Sequence, residues 1–239
     1  MTFYNPPCIH PIDTRWPWPS CLPGVELAEL HFKQATFREE HFKACDIEVP
    51  PDVSRAAVKR KVEYLGGRLC AREALQRLKG ISSAPSRHDD GSPHWPASVV
   101  GSITHSDGWA AAVVGSRLRY SGLGLDSEKL IADGRANRLL PRILTSQEQR
   151  RFSAELTDNP GLLLTQVFSL KESLFKALYP LTHQRFYFTD AELVTLSPTG
   201  EARLRLLTDL SDVWRAGAAI DGQSVIREQR VLSLINIPA

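Results

Sequence analysis

Asp126 and Glu128 stand two residues apart at the end of the apolar run 122–128. Alternation along a strand would put both carboxylates on one face. Two carboxylates so close repel each other unless a cation or a donor sits between them. Magnesium binds through one or two carboxylates together with substrate phosphates, so it suits such a pair. The plainer alternative is a solvated strand end with two unrelated acids. Glu172 and Lys176 lie four apart in a segment that also carries Phe168, Leu170, Leu174, Phe175 and Leu178. On a helix they share a face, where they suit a third metal ligand and a phosphate or proton-transfer group. The alternative is a surface ion pair worth about 0.3–0.5 kcal/mol. Apolar coverage this broad argues that the helix is largely buried, so its charges need specific partners.

His105 follows a β run and precedes Ser106, Asp107 and Gly108. A turn there presents backbone N–H groups, and a histidine beside it can touch a phosphate or simply bond its own turn. Arg60, Arg68 and Arg72 fall off the apolar stripe of a helical segment, and arginines on one side of a helix can hold phosphate bidentately. A solvated basic face is the alternative.

These residues need elements to position them. Residues 1–24, rich in proline and tryptophan, read as an extended arm. Residues 25–32 alternate as a strand. A helix is expected over 54–79, with Asp52 or Ser54 as cap and Gly80 as stop. Residues 82–98 read as a polar loop, followed by strands at 99–104, 109–115 and 122–128. Thr145 and Glu148 form a capping-box pattern for a helix to about residue 156. Asn159 and Pro160 open a longer helix expected to reach Tyr179 and close at Pro180. Strands are expected at 186–188, 191–196, 202–207 and 231–237. The pattern is α+β, with two similar lobes, 1–120 and 121–239.

The chain has 239 residues, 42% hydrophobic and 23% charged, enough to bury a sizeable core. The net charge of +2 from 29 basic and 27 acidic residues does not imply bulk nucleic-acid binding. Four cysteines without CxxC spacing argue against structural zinc or a disulfide framework. Residues 1–13 lack an apolar signal core, and no apolar run approaches the ~20 residues of a membrane span. The expectation is a soluble, cytoplasmic chain.

Five blocks in order resemble the 4′-phosphopantetheinyl transferases of the Sfp/EntD superfamily, and more closely the EntD-like branch. They are Glu63-Tyr-Leu-Gly-Gly-Arg68-Leu-Cys-Ala-Arg72, Gly91-Ser92-Pro93, Ser102-Ile-Thr104-His105, Gly124-Leu-Asp126-Ser-Glu128 and Phe168-Ser-Leu-Lys171-Glu172-Ser-Leu-Phe-Lys176-Ala. Ser127 stands where the family is usually aliphatic, and Ser92 where some relatives carry a basic residue. The resemblance implies a pseudo-duplicated fold with the active site at the lobe interface. It implies transfer of 4′-phosphopantetheine from coenzyme A to a serine of apo acyl carrier proteins or peptidyl and aryl carrier domains, in fatty-acid, siderophore and nonribosomal peptide synthesis. By resemblance, Asp126, Glu128 and Glu172 hold magnesium, and Glu172 or Lys176 is the base. Arg60, Arg68, Arg72, Thr104, His105 and Lys171 are the coenzyme A candidates. A monomer that binds neither nucleic acid nor membrane is expected. Competing readings are another magnesium-dependent nucleotidyl transferase or phosphatase, and a non-catalytic binder using the arginine helix. The product made from coenzyme A and an apo-carrier separates them.

Overall fold

A computed structural model describes residues 4–239, and residues 1–3 of the expected arm lie outside the described residues. The chain is a mixed α/β protein with two compact units. One holds the chain up to Trp16 together with Leu22–Tyr120; the other holds Pro17–Cys21 with Ser121–Ala239.

The first unit contains β1 (Val25–His31), α1 (Glu40–Ala44), α2 (Pro51–Ser54), α3 (Val58–Lys79), a small hairpin of β2 (Ser86–Arg87) and β3 (Pro93–His94), β4 (Val99–Ser106) and β5 (Trp109–Ser116). Its main sheet is antiparallel in the order β1-β5-β4. The arm runs along the free edge of β1, where Asp13 and Glu29 exchange two backbone hydrogen bonds of 2.8 Å. That pairing covers strand groups which would otherwise be open to another chain. The expected helix from residue 54 starts later, because Ala57 is extended and breaks α2 from α3; Gly80, at φ 70°, stops it as expected. Val62, Leu65, Leu69 and Leu75 of α3 are buried in the core with Leu30, Ala110, Ala112 and Val114. Close approach explains the mid-helix glycines. A Cβ on Gly67 would lie 2.8 Å from Ile103 Cγ2, and the helical cost of glycine, about 1 kcal/mol, is offset by packing.

In the second unit follow β6 (Tyr120–Lys129), α4 (Asp133–Ile143), α5 (Ser146–Arg151), α6 (Ser153–Asp158), α7 (Pro160–Thr182), β7 (Ala191–Leu196), β8 (Glu201–Leu206), β9 (Ala219–Arg227) and β10 (Arg230–Pro238). The sheet order is β6-β10-β9-β8-β7. Thr145 and Glu148 cap α5 reciprocally, as their spacing suggests, but Phe152 breaks the expected single helix into α5 and α6. The Asn159 side chain accepts from Leu162 N at 3.1 Å and starts α7. That helix runs past Pro180 to Thr182, since a proline in the last turn forfeits only one backbone bond. Residues 186–188, expected as a strand, form no strand; Phe188–Asp190 is a 3-10 turn. Leu163, Leu170, Leu174 and Leu178 of α7 pack with Leu193, Leu204 and Ile235 of the sheet.

Candidate active site

In β6, Gly122, Gly124, Asp126 and Glu128 alternate onto one face. The first two have no side chain because α7 lies against them. A Cβ on Gly124 would meet Ser173 O at 1.8 Å, and one on Gly122 would meet Ala177 O at 2.6 Å. The strand backbone therefore rests on the helix backbone, and the next two residues of that face carry carboxylates beside Glu172 and Lys176.

Asp126 is 3% exposed. Its Oδ1 accepts from Lys176 Nζ at 2.7 Å, and Lys176 also donates to Leu125 O at 3.1 Å. Asp126 Oδ2 is buried with no hydrogen-bond partner. Burial, then the charge of Asp126, pushes the Glu128 carboxyl up to about 7, against the pull of Lys176 and Arg230. The Glu172 carboxyl is raised by burial and then by Asp126, again opposed by Lys176. The three acids thus share one field with one nearby ammonium. Among the described residues, no three His, Cys, Asp or Glu side chains already stand around a common point for a metal. The donor set nonetheless fits a divalent ion: it is all oxygen, one buried carboxylate oxygen lacks any donor, and two carboxyls are strained by their neighbour's charge. Ser127 lies on the opposite face, buried, where Arg230 Nη1 reaches its hydroxyl at 3.4 Å.

A second group lies in the first unit. Arg60, Glu63, Tyr64 and Arg68 of α3, Ile103 and His105 of β4, and Arg87, Gly91 and Pro93 of the small hairpin line one cleft. His105 is not in a turn as expected but within β4, paired with Ala110. Arg60 Nη1 contacts His105 Nε2 at 2.6 Å. Arginine can only donate, so Nε2 accepts and the ring proton sits on Nδ1. That nitrogen faces Glu63 Oε2 at 3.5 Å. Arg68 is buried, with its guanidinium 4.7 Å from the centre of the Tyr64 ring and its Nε without a hydrogen-bond partner. Arg87 Nη1 donates to Asp52 Oδ2 at 2.7 Å.

Three expected ligands are not in this cleft. Thr104 is buried on the opposite face of β4. Arg72, one turn beyond Arg68, donates to Cys45 O at 2.5 Å and borders a different cavity with Tyr4, Asp46 and Ser82. Lys171, expected to contact phosphate, is 2% exposed; its ammonium donates to Glu148 Oε2 at 2.7 Å and to Ile143 O and Phe188 O at 2.8 Å. All three of its protons are taken, so this lysine is a structural tie. Sequence reasoning gave no role to Glu63 and Tyr64, although the quoted helix block contains both. It missed Arg87, whose one signal is its place just before the Gly91–Pro93 turn.

A long helix on an antiparallel sheet, a buried carboxylate cluster and an arginine–histidine cleft make a mixed α/β protein whose side chains suit a phosphate-bearing ligand. The model of the 4′-phosphopantetheinyl transferase N-terminal domain matches residues 49–115, and that of the 4′-phosphopantetheinyl transferase superfamily matches residues 122–231. The chain belongs to this superfamily. It is 32% identical over 206 residues to the 4′-phosphopantetheinyl transferase Npt of Nocardia iowensis, spanning 83% of this chain and 85% of the relative. Identity to enterobactin synthase component D of Salmonella typhimurium is 37% over 169 residues, 70% of this chain and 67% of the relative. Against the 4′-phosphopantetheinyl transferase PptT of Mycobacterium tuberculosis it is 34% over 173 residues, 68% and 72% of the two chains. No helix among the described residues is long and apolar enough to cross a membrane.

Proposed function

We propose that this chain transfers 4′-phosphopantetheine from coenzyme A to a serine of an apo acyl carrier protein or a peptidyl or aryl carrier domain. The serine oxygen attacks the β-phosphorus of coenzyme A. An oxygen–phosphorus bond forms there, the pyrophosphate bridge breaks, and adenosine 3′,5′-bisphosphate leaves with the bridging oxygen. Little covalent chemistry is asked of the protein; it aligns the groups and balances charge.

The observation that carries this reading is the carboxylate cluster with its unpartnered Asp126 Oδ2. Asp126, Glu128 and Glu172 would hold magnesium, which when bound neutralises pyrophosphate charge. Glu172, on the helix face beside Asp126 and Lys176, accepts the serine proton directly or through water. Lys176, already donating to Asp126 and Leu125 O, serves as a cation and not as the base. Arg60, Arg68 and His105 hold the adenosine 3′-phosphate end, and Arg87 supplies positive charge that Ser92 lacks. A long helix on an antiparallel sheet recurs in both units, which supports duplicated lobes.

The test is to incubate the protein with coenzyme A, magnesium and an apo-carrier, and to weigh the carrier. A mass gain equal to phosphopantetheine is expected, lost with chelator and in Asp126→Ala. Inorganic phosphate or pyrophosphate release without carrier modification would select the competing phosphatase or nucleotidyl-transferase reading.

A further inference from the structure

An acid stands inside the arginine–histidine cleft. Glu63 is 7% exposed and lines the same cavity as Arg60, Arg68, Arg87 and His105. A fixed carboxylate repels any phosphate that enters, so it weakens a phosphate site unless it serves another group there. The two oxygens of Glu63 face different partners. Oε1 lies 4.0 Å from Nζ of the exposed Lys59, and Oε2 lies 3.5 Å from Nδ1 of the half-buried His105. The lysine contact is solvent-exposed and adds little. The histidine contact reaches into the cleft.

The other edge of that ring does not suit an anion as it stands. Nε2 accepts from Arg60 Nη1 at 2.6 Å, so it carries a lone pair and no proton. A phosphate oxygen brought to Nε2 meets lone pair against lone pair. The same oxygen draws the guanidinium of Arg60, which binds phosphate more strongly than a neutral nitrogen. Nε2 must then take up a proton or stay out of contact with the phosphate. A carboxylate beside Nδ1–H favours the proton, because the imidazolium can donate from Nδ1 to Glu63 and from Nε2 to the phosphate. Arg60 and Arg68 of α3 and Arg87 of the β2–β3 hairpin line the cleft and oppose a further positive charge, while β5 pairs with His105 through Ala110. Glu63 and a phosphate of charge about −2 offset those arginines.

We propose that Glu63 is a positioning residue that couples phosphate binding to a proton. As the phosphomonoester dianion of the adenosine 3′ position docks, one proton from solvent enters at His105 Nε2. The inference rests on the coenzyme A reading above.

The experiment is calorimetry of the magnesium-saturated protein at about pH 8, in buffers of different ionisation enthalpy. It compares coenzyme A with dephospho-coenzyme A, which carries a 3′-hydroxyl. At that pH a phosphomonoester, second pKa about 6, is already a dianion, so uptake comes from the protein. Both ligands carry the pyrophosphate, so proton exchange at the carboxylate cluster is common to both. Coenzyme A is expected to take up close to one proton more than dephospho-coenzyme A. Its affinity should then fall as pH rises from about 7 to about 9, more steeply than that of dephospho-coenzyme A. Glu63→Gln keeps an acceptor oxygen for Nδ1–H and removes the charge. It should lose the extra proton and weaken coenzyme A about tenfold, the effect of one pKa unit on the ring, with dephospho-coenzyme A within about twofold. A carboxylate that merely sits in the cleft predicts the opposite sign, tighter coenzyme A binding in Glu63→Gln. If Glu63→Gln has no melting transition, His105→Gln is read by the same loss of the extra proton. Equal proton counts for the two ligands, or an extra proton retained in the variant, overturns the inference and leaves the transfer reading standing. A parent that binds neither ligand removes both.

Discussion

Lys171 and Lys176 lie five residues apart on one helix, yet they do different work. Lys176 sits among the acids of β6, whereas Lys171 is sealed between α4, Glu148 and the turn at Phe188. Burial lowers the Lys171 pKa, and the charge of Glu148 opposes that shift. Glu148 is itself 0% exposed, and its other oxygen accepts from Leu193 N at 2.7 Å. Removing one member of a buried pair leaves the other charge uncompensated, at a cost of about 3–5 kcal/mol. Lys171→Met is therefore expected to lower unfolding stability by about that amount, measured by chemical denaturation. Its melting loss should shrink in the double variant with Glu148→Leu. If Lys171 contacted phosphate instead, the variant would keep its stability and lose coenzyme A affinity.

At the scale of elements, the glycines of β6 set the site. Gly124→Ala places a methyl against the backbone of Ser173 and Ala177, and backbone cannot rotate away as a side chain can. A loss of about 3 kcal/mol or failure to fold is expected, read by thermal melting. Gly134→Ala on α4, where nothing lies within 4 Å, should instead be neutral or stabilise by about 0.5–1 kcal/mol. The same close packing explains which elements were legible. α3 and α7 announce themselves by periodicity and by their caps or stops, and β4, β5 and β6 by apolar runs. β9 does not, because its inward positions are Ile220, Gly222 and Ser224. Ile235 and Leu170 fill the space that Gly222 leaves, so the strand lacks an apolar alternation. Its hairpin to β10 turns on Glu228 and Gln229, at φ 49° and 62°, without the usual glycine or asparagine. α4 was missed because Gly134 and Pro141 interrupt it. At the site, the carboxylates of β6 and α7 could be read from spacing. The burial of Lys171, the turn of Arg72 toward Cys45 and the entry of Arg87 could not, because each depends on tertiary neighbours.

For the whole molecule, the proposed magnesium site would make stability depend jointly on pH and magnesium. In the fold Glu128 keeps its proton up to about 7, because of burial first and Asp126 second; the ordinary value is 4.5. Between those values the metal-free folded chain binds a proton that the unfolded chain has released. Its stability from this group is therefore full below 4.5 and is lost as pH rises through about 7. The raised Glu172 carboxyl acts in the same direction. Magnesium needs the ionised carboxylates, so it must displace these protons to bind. Bound there, it would relieve the repulsion that costs stability at higher pH. The rise in melting temperature on adding magnesium is expected to be larger at about pH 8 than at about pH 5.5. Calorimetry near pH 6 should show proton release that depends on the buffer's ionisation enthalpy. Glu128→Gln should flatten the metal-free stability profile through this window, since an amide does not titrate. A magnesium shift of equal size at both pH values, with no proton release, would separate these acids from metal binding.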